Sequence, residues 1–136
     1  MTSDKRTFWL RAGAALVIAS GALIALGSHP AIAAPLRLVA DLLIWPFDGL
    51  QPIETSEARL LAAIGGGVLV GWGVMLWQLA PEPAAHRIIR TSVLAWFVVD
   101  SGGSLLAGVP LNVVGNLVFL ALFLIPIGFG RRAQAA

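Results

Sequence analysis

Apolar and polar positions alternate along this chain in long blocks, and the blocks predict helices. Four predominantly apolar segments cover about residues 12–27, 58–79, 88–108 and 110–129. Residues 28–57, residues 80–87 and the single residue 109 separate them. A helix of about 20 apolar residues spans a hydrocarbon core of roughly 30 Å. The pattern therefore predicts an all-α fold. We expect an integral membrane four-helix bundle that forms a single transmembrane domain over residues 1–136.

A shorter segment at about 36–47 has a different pattern. Its apolar residues recur on one helical face, at Leu36, Val39, Ala40, Leu43 and Phe47. Arg37, Asp41 and Asp48 lie together on another face, and Trp45 suits the headgroup region. These features predict a short interfacial helix that caps the outer face of the bundle. The alternative is a fifth crossing.

The basic residues decide between these two topologies. With four crossings, one side carries Lys5, Arg6, Arg11, Arg87, Arg90, Arg131 and Arg132, and the other carries Arg37 and Arg59. Five crossings would instead separate Arg87, Arg90 and the Arg131–Arg132 pair from the N-terminus. The positive-inside rule favours four crossings with both termini cytoplasmic, in a bacterial inner membrane. Segment 12–27 is expected to be a retained signal anchor, although the small residues at 31–33 leave open a cleaved signal peptide.

Composition restricts the chemistry further. The chain is 58% hydrophobic and 12% charged, against about 25% charged in soluble domains. Its pI near 10.5 suggests nucleic acid, but the arginines flank apolar segments, so we predict no nucleic-acid partner. There is no cysteine, and His29 and His86 are expected on opposite faces. We therefore predict no metal site and no cofactor.

One ionisable residue, Asp100, interrupts an apolar run and marks the best candidate site. A charged side chain inside a membrane is expected to face the protein interior or a wet cavity. If the chain turns near residue 109, Asp100 lies level with about residues 117–118, near Asn116, and Ser104 and Asn112 lie one helical turn from Asp100 and Asn116 respectively. Trp96 lies one turn before Asp100. The cluster is either a proton-relay or substrate site, or a packing clasp.

Small residues indicate where helices approach closely. Segment 58–79 contains Gly65, Gly66, Gly67 and Gly71, and segment 88–108 contains Gly102 and Gly103. Because these two sets are expected at one depth, they predict close packing between the two segments. A gap that admits a lipid tail or a quinone ring is the alternative.

Three motifs carry a resemblance to a known group. They are WPFDG at 45–49, AIGGGVLVGWG at 63–73 and AWFVVDSGGSLLAG at 95–108. With them the chain resembles small, uncharacterised bacterial inner-membrane proteins, similar in outline to the DoxX-like and BphX-like four-helix group. The resemblance implies an architecture and no catalytic residues.

Two functions follow as hypotheses. The first is an accessory or binding subunit that packs in the lipid bilayer against a larger membrane complex or a second copy of itself. The second is a small proton-coupled transporter or membrane-embedded enzyme that uses Asp100. The absence of a reaction signature favours the first.

Overall fold

The structure is a computed structural model that describes residues 1–49, 51 and 53–128. It contains the five helices α1 (Ser3–Leu26), α2 (Ala34–Leu43), α3 (Ser56–Leu79), α4 (His86–Leu106) and α5 (Pro110–Ile127). Short 3-10 turns at Pro30–Ile32 and Pro83–Ala85 lead into α2 and α4. No strand occurs in these ranges, which confirms the all-α prediction. Phe129, Arg131 and Arg132, which entered the predicted topology, lie outside the described residues.

Three of the helices are long and apolar enough to cross a membrane, namely α1, α3 and α5. By length and composition, this fits the prediction of a helical membrane protein. Helix α4 has 21 residues and would also be long enough at 1.5 Å per residue. It carries Arg87, Arg90 and Asp100, however, and is less apolar than the other three long helices. The fourth predicted crossing is therefore not established by composition.

Two helices differ from their predicted bounds for local reasons. Helix α1 begins at Ser3, well before the apolar segment, because the Thr2 side chain accepts a hydrogen bond from the Lys5 backbone N–H at 3.4 Å. Such a cap satisfies a free N–H of the first turn. Helix α2 ends at Leu43 rather than 47. Pro46 disfavours helical geometry at Trp45, and the chain is already extended at Ile44.

Helices α1 and α3 form an antiparallel pair with very close backbones. A Cβ atom built on Gly66 would lie 2.5 Å from the Gly21 carbonyl oxygen and 2.8 Å from the Ala25 Cα. Further along, a Cβ on Gly73 would lie 2.7 Å from Ile18 Cγ1. Glycine is therefore required at these crossing points, as is usual where membrane helices approach closely.

The prediction that the glycines of segments 58–79 and 88–108 pack against each other is wrong for this fold. Only Gly66 of the predicted set lies in a helix–helix contact, and its partner is α1. Among the described residues, a Cβ on any of the others would meet no atom of another element within 4 Å: Gly65, Gly67, Gly71, Gly102 and Gly103. Equal distance from the loop at residues 80–87 fixes the depth of these residues in the bundle. It does not fix the direction in which they point from the helix axis, and that direction turns by about 100° with each residue.

Side-chain contacts fix which helix ends lie together. The Arg6 Nε donates a hydrogen bond to the Pro126 carbonyl oxygen at 3.1 Å, and the Arg11 guanidinium lies 5.4 Å from the Trp77 ring centroid. The start of α1 therefore lies beside the ends of α3 and α5. We name this the terminal end of the bundle. Residues 1 and 128 both belong to it.

Helix α2 lies at the opposite end, which we name the α2 end. Its Leu36 packs directly over Gly27, where no side chain would fit. The Asp41 carboxylate accepts a hydrogen bond from the Gly49 backbone N–H at 2.8 Å, which ties the following loop to the helix. The predicted cap on one end of the bundle is therefore present in the fold.

The hydrophobic core fills the half of the bundle nearer the terminal end. It combines buried residues of α1, α3, α4 and α5 with Ala80 of the loop after α3: Leu10, Ala14, Val17, Leu76, Ala80, Ile89, Val93 and Phe123. The half nearer the α2 end contains no comparable cluster among the described residues. That half contains the candidate site.

Candidate functional site

The carboxylate of Asp100 is the centre of a polar cluster between α4 and α5. Its Oδ2 accepts hydrogen bonds from Asn112 Nδ2, at 3.1 Å, and from Asn116 Nδ2. The tight turn between the helices makes this meeting possible. Gly108 has φ +75°, a backbone conformation that favours glycine, and Pro110 starts α5 at once.

Two serines of α4 complete the cluster. Asn112 Nδ2 also donates to Ser104 Oγ at 2.8 Å, and Asn116 Nδ2 donates to Ser101 Oγ at 3.2 Å. The Ser104 hydroxyl donates to the backbone carbonyl of Asp100 at 2.7 Å. Ser101 and Asn116 are buried. The structure thus brings together all four polar residues of the predicted cluster, and Ser101, which directly follows Asp100 in the sequence, joins them.

A cavity of about 340 Å³ opens beside this cluster. Every α-helix contributes to its wall. The lining residues are Val17, Ser20, Ile24, Val39, Leu43, Leu69, Trp72, Trp96, Asp100, Asn112, Gly115, Asn116 and Phe119. The cavity lies in the middle of the bundle and at the same depth as Asp100.

Aromatic rings separate the cavity from the core. The ring centroids of Trp72 and Trp96 lie 5.8 Å apart, and those of Trp96 and Phe119 lie 6.1 Å apart. All three side chains line the cavity and also pack on the hydrophobic core. Trp96 therefore lines the pocket of Asp100, and the rings form an apolar floor beneath it.

A second space of about 520 Å³ lies between α2 and the hairpin of α4 and α5. Ala40, Leu43 and Ile44 of α2 line one side, and Gly103 of α4 lies on the other. Asp100, Asn112 and Leu43 border both spaces. The two spaces therefore adjoin at the carboxylate, beneath the helix that caps this end.

The predicted site omitted Ser20 and Trp72, and it left Ser101, the residue next to Asp100, out of the polar cluster. Ser20 is the lone polar side chain of segment 12–27, a signal that was available. Ser101 follows Asp100 in the sequence, and Asn116 donates a hydrogen bond to both residues. Nothing in the local sequence marks Trp72, because its place in the wall depends on how α3 packs against α1.

The histidines take no part in the site. His29 Nδ1 accepts a hydrogen bond from the Ala31 backbone N–H at 3.3 Å near the α2 end. His86 Nε2 lies 3.4 Å from the Ala80 carbonyl oxygen near the terminal end. Across the described ranges, no three His, Cys, Asp or Glu side chains are grouped closely enough to hold a metal ion.

No family model, no curated protein and no solved structure matches this chain. The resemblance to the DoxX-like and BphX-like group stays a prediction.

Proposed function

We propose that the chain is a four-helix membrane protein in which α4 is the fourth crossing. The polar residues of α4 at Asp100, Ser101 and Ser104 are turned toward α5 and the cavity, so they add little polarity to a lipid-facing surface. Residues 1 and 128 lie at the same end, which requires an even number of crossings.

The charge distribution supports an orientation for this bundle. Among the described residues, five basic side chains belong to elements at the terminal end, namely Lys5, Arg6, Arg11, Arg87 and Arg90. Arg37 and Arg59 belong to the α2 end. The positive-inside rule then favours a cytoplasmic terminal end, with α2 at the outer surface of a bacterial inner membrane.

Within this frame, we propose that the protein is a binding subunit that holds a small molecule in the cavity at Asp100. The observation that carries the proposal is the cavity itself, which all five helices line and into which a polar cluster and three aromatic rings converge. Its volume of about 340 Å³ falls at the lower end of the range for ligand pockets, and apolar walls with a few polar groups are typical of such sites.

Native mass spectrometry after gentle extraction from the membrane tests this proposal. A Cβ on Gly115 meets no atom within 4 Å, and the residue lines the cavity, so Gly115→Leu fills the cavity without an initial clash. We expect a bound small molecule on the wild type and none on Gly115→Leu. Gly65→Leu is the matched control, because Gly65 also has open space but lies outside the cavity. A wild-type spectrum without any bound small molecule contradicts the proposal.

The same protein would serve as an accessory subunit if its open glycine positions meet another chain. Gly67 and Gly71 form a small-residue pair one turn apart on α3, and a Cβ on either would meet no other element within 4 Å among the described residues. Such pairs let membrane helices associate closely. The double variant Gly67→Leu, Gly71→Leu is expected to release a co-purifying partner protein and to retain the small molecule. Retention of the partner would contradict this role.

A proton-coupled transporter or membrane-embedded enzyme remains the second candidate. The observation that favours it is the position of Asp100, which borders both the 340 Å³ cavity and the 520 Å³ space beneath α2. In liposomes it predicts proton movement that Asp100→Asn abolishes. Proton permeability equal to that of empty liposomes would exclude the transporter.

A further inference from the structure

The cavity contains a carboxylate and no positive charge. Neither the 340 Å³ cavity nor the adjoining 520 Å³ space has a Lys, Arg or His in its wall. Asp100 therefore has no counter-ion among the described residues that line these spaces. An unpaired charge is expensive inside a membrane, and such residues usually pair with another charge or with a bound ligand.

The two oxygens of this carboxylate have different surroundings. Oδ2 accepts hydrogen bonds from Asn112 and Asn116. Oδ1 accepts none from any residue that the structure describes. Because both amides converge on one oxygen, they fix the orientation of the side chain, and they leave the lone pairs of the other oxygen unused.

The walls of the 340 Å³ cavity, which Asp100 also lines, suit an apolar body with a positive charge. Trp72, Trp96 and Phe119 present three aromatic side chains to the cavity. Aromatic faces attract organic cations, and tryptophan does so most strongly. A compact hydrated metal ion would gain nothing from these rings, and an anion would be repelled by Asp100.

We propose that the cavity binds an amphiphilic organic monocation, with an ammonium group at Asp100 Oδ1 and an apolar body against Trp72, Trp96 and Phe119. This inference rests on the proposed binding function and names the ligand class of the same site. Asn112 and Asn116 are positioning residues, because they hold the carboxylate and do not themselves contact the positive charge.

A series of three probes that differ in one group tests the charge preference. The probes are 4-phenylbutylammonium, 4-phenylbutan-1-ol and 4-phenylbutyrate at pH 7. Each is equilibrated by dialysis against the full chain in nanodiscs of phosphatidylcholine, which has no net charge. Empty nanodiscs are measured in parallel, so that partition into lipid is subtracted.

We expect the ammonium probe to bind the wild type at least tenfold more tightly than the alcohol, and the carboxylate probe most weakly. Asp100→Asn keeps the side-chain shape and removes the charge, so the tenfold preference is expected to disappear while the alcohol still binds. Gly115→Leu is expected to abolish binding of all three probes, and Gly65→Leu to change nothing.

The outcomes separate this inference from the binding function. Equal binding of the ammonium and alcohol probes to the wild type, lost in Gly115→Leu, would overturn the charge preference and leave the cavity as a binding site. No binding of any probe would overturn the ligand class proposed here, whereas the binding function itself is decided by the native mass spectrum. The wild-type comparison stands even if Asp100→Asn fails to fold, and a preference that persists in a folded Asp100→Asn protein would also overturn the inference.

Discussion

Substitution of a single glycine distinguishes the observed packing of α3 from other arrangements. In Gly66→Ala the new Cβ lies 2.5 Å from the Gly21 carbonyl oxygen, whereas real Cβ contacts essentially never fall below 3.0 Å. This oxygen and the Ala25 Cα, at 2.8 Å, are both backbone atoms. The two helices must therefore separate by at least about 0.5 Å. A gap of 0.5–1 Å forfeits about a quarter to a half of each dispersion contact. Overpacking of this kind costs about 1–3 kcal/mol.

The neighbouring variant Gly67→Ala is the matched control. Both substitutions raise helix propensity by about 1 kcal/mol, but a Cβ at Gly67 meets no atom within 4 Å. We therefore expect Gly66→Ala to be less stable than Gly67→Ala by about 1–3 kcal/mol. Unfolding in mixed micelles with increasing SDS, followed by tryptophan fluorescence, measures the difference. Equal stability of the two variants, or the reverse order, would refute the close pairing of α1 and α3.

Three further predictions concern the hairpin and the topology. Asn116→Leu removes the hydrogen bonds to Asp100 and Ser101 and is expected to lower the free energy of unfolding by about 1–2 kcal/mol in the same assay; unchanged stability would mean that the cluster does not join α4 to α5. Gly108→Ala meets open space but keeps φ +75°, so we expect a loss of about 1–2 kcal/mol from backbone strain alone, and no loss would contradict that turn geometry. Because the chain has no cysteine, Glu54→Cys is expected to react with an impermeant maleimide on intact cells, and Glu82→Cys only after permeabilisation. The opposite labelling pattern would invert the proposed orientation.

Much of the candidate site was predictable because a tight hairpin fixes depth. The turn near residue 109 places Asp100 level with about residues 117–118, near Asn116, and the helical repeat then adds Ser104 and Asn112. These relations depend only on rise and spacing along two consecutive helices. The structure brings the same four residues into one hydrogen-bonded cluster.

Contacts between helices that are distant in sequence were not predictable in this way. The partner of Gly66 depends on the rotation of α3 about its axis, and Gly21 gave no stronger signal than other glycines. The cavity wall likewise needs Ser20 of α1 and Trp72 of α3, which reach it only after α1 and α3 have paired. Long-range packing selects those residues, and local periodicity does not encode it.

The most direct test of the cavity is the reactivity of a single cysteine placed in its wall. Ser20→Cys introduces a thiol of similar size where the wall is lined by α1, and the small neutral reagent methyl methanethiosulfonate reports access to it. We predict that this thiol reacts, and that adding Gly115→Leu blocks the reaction. Ala14→Cys, at a fully buried core position, is predicted to stay unreactive. A Ser20→Cys thiol as unreactive as that control would show a closed interior and would contradict the existence of the site.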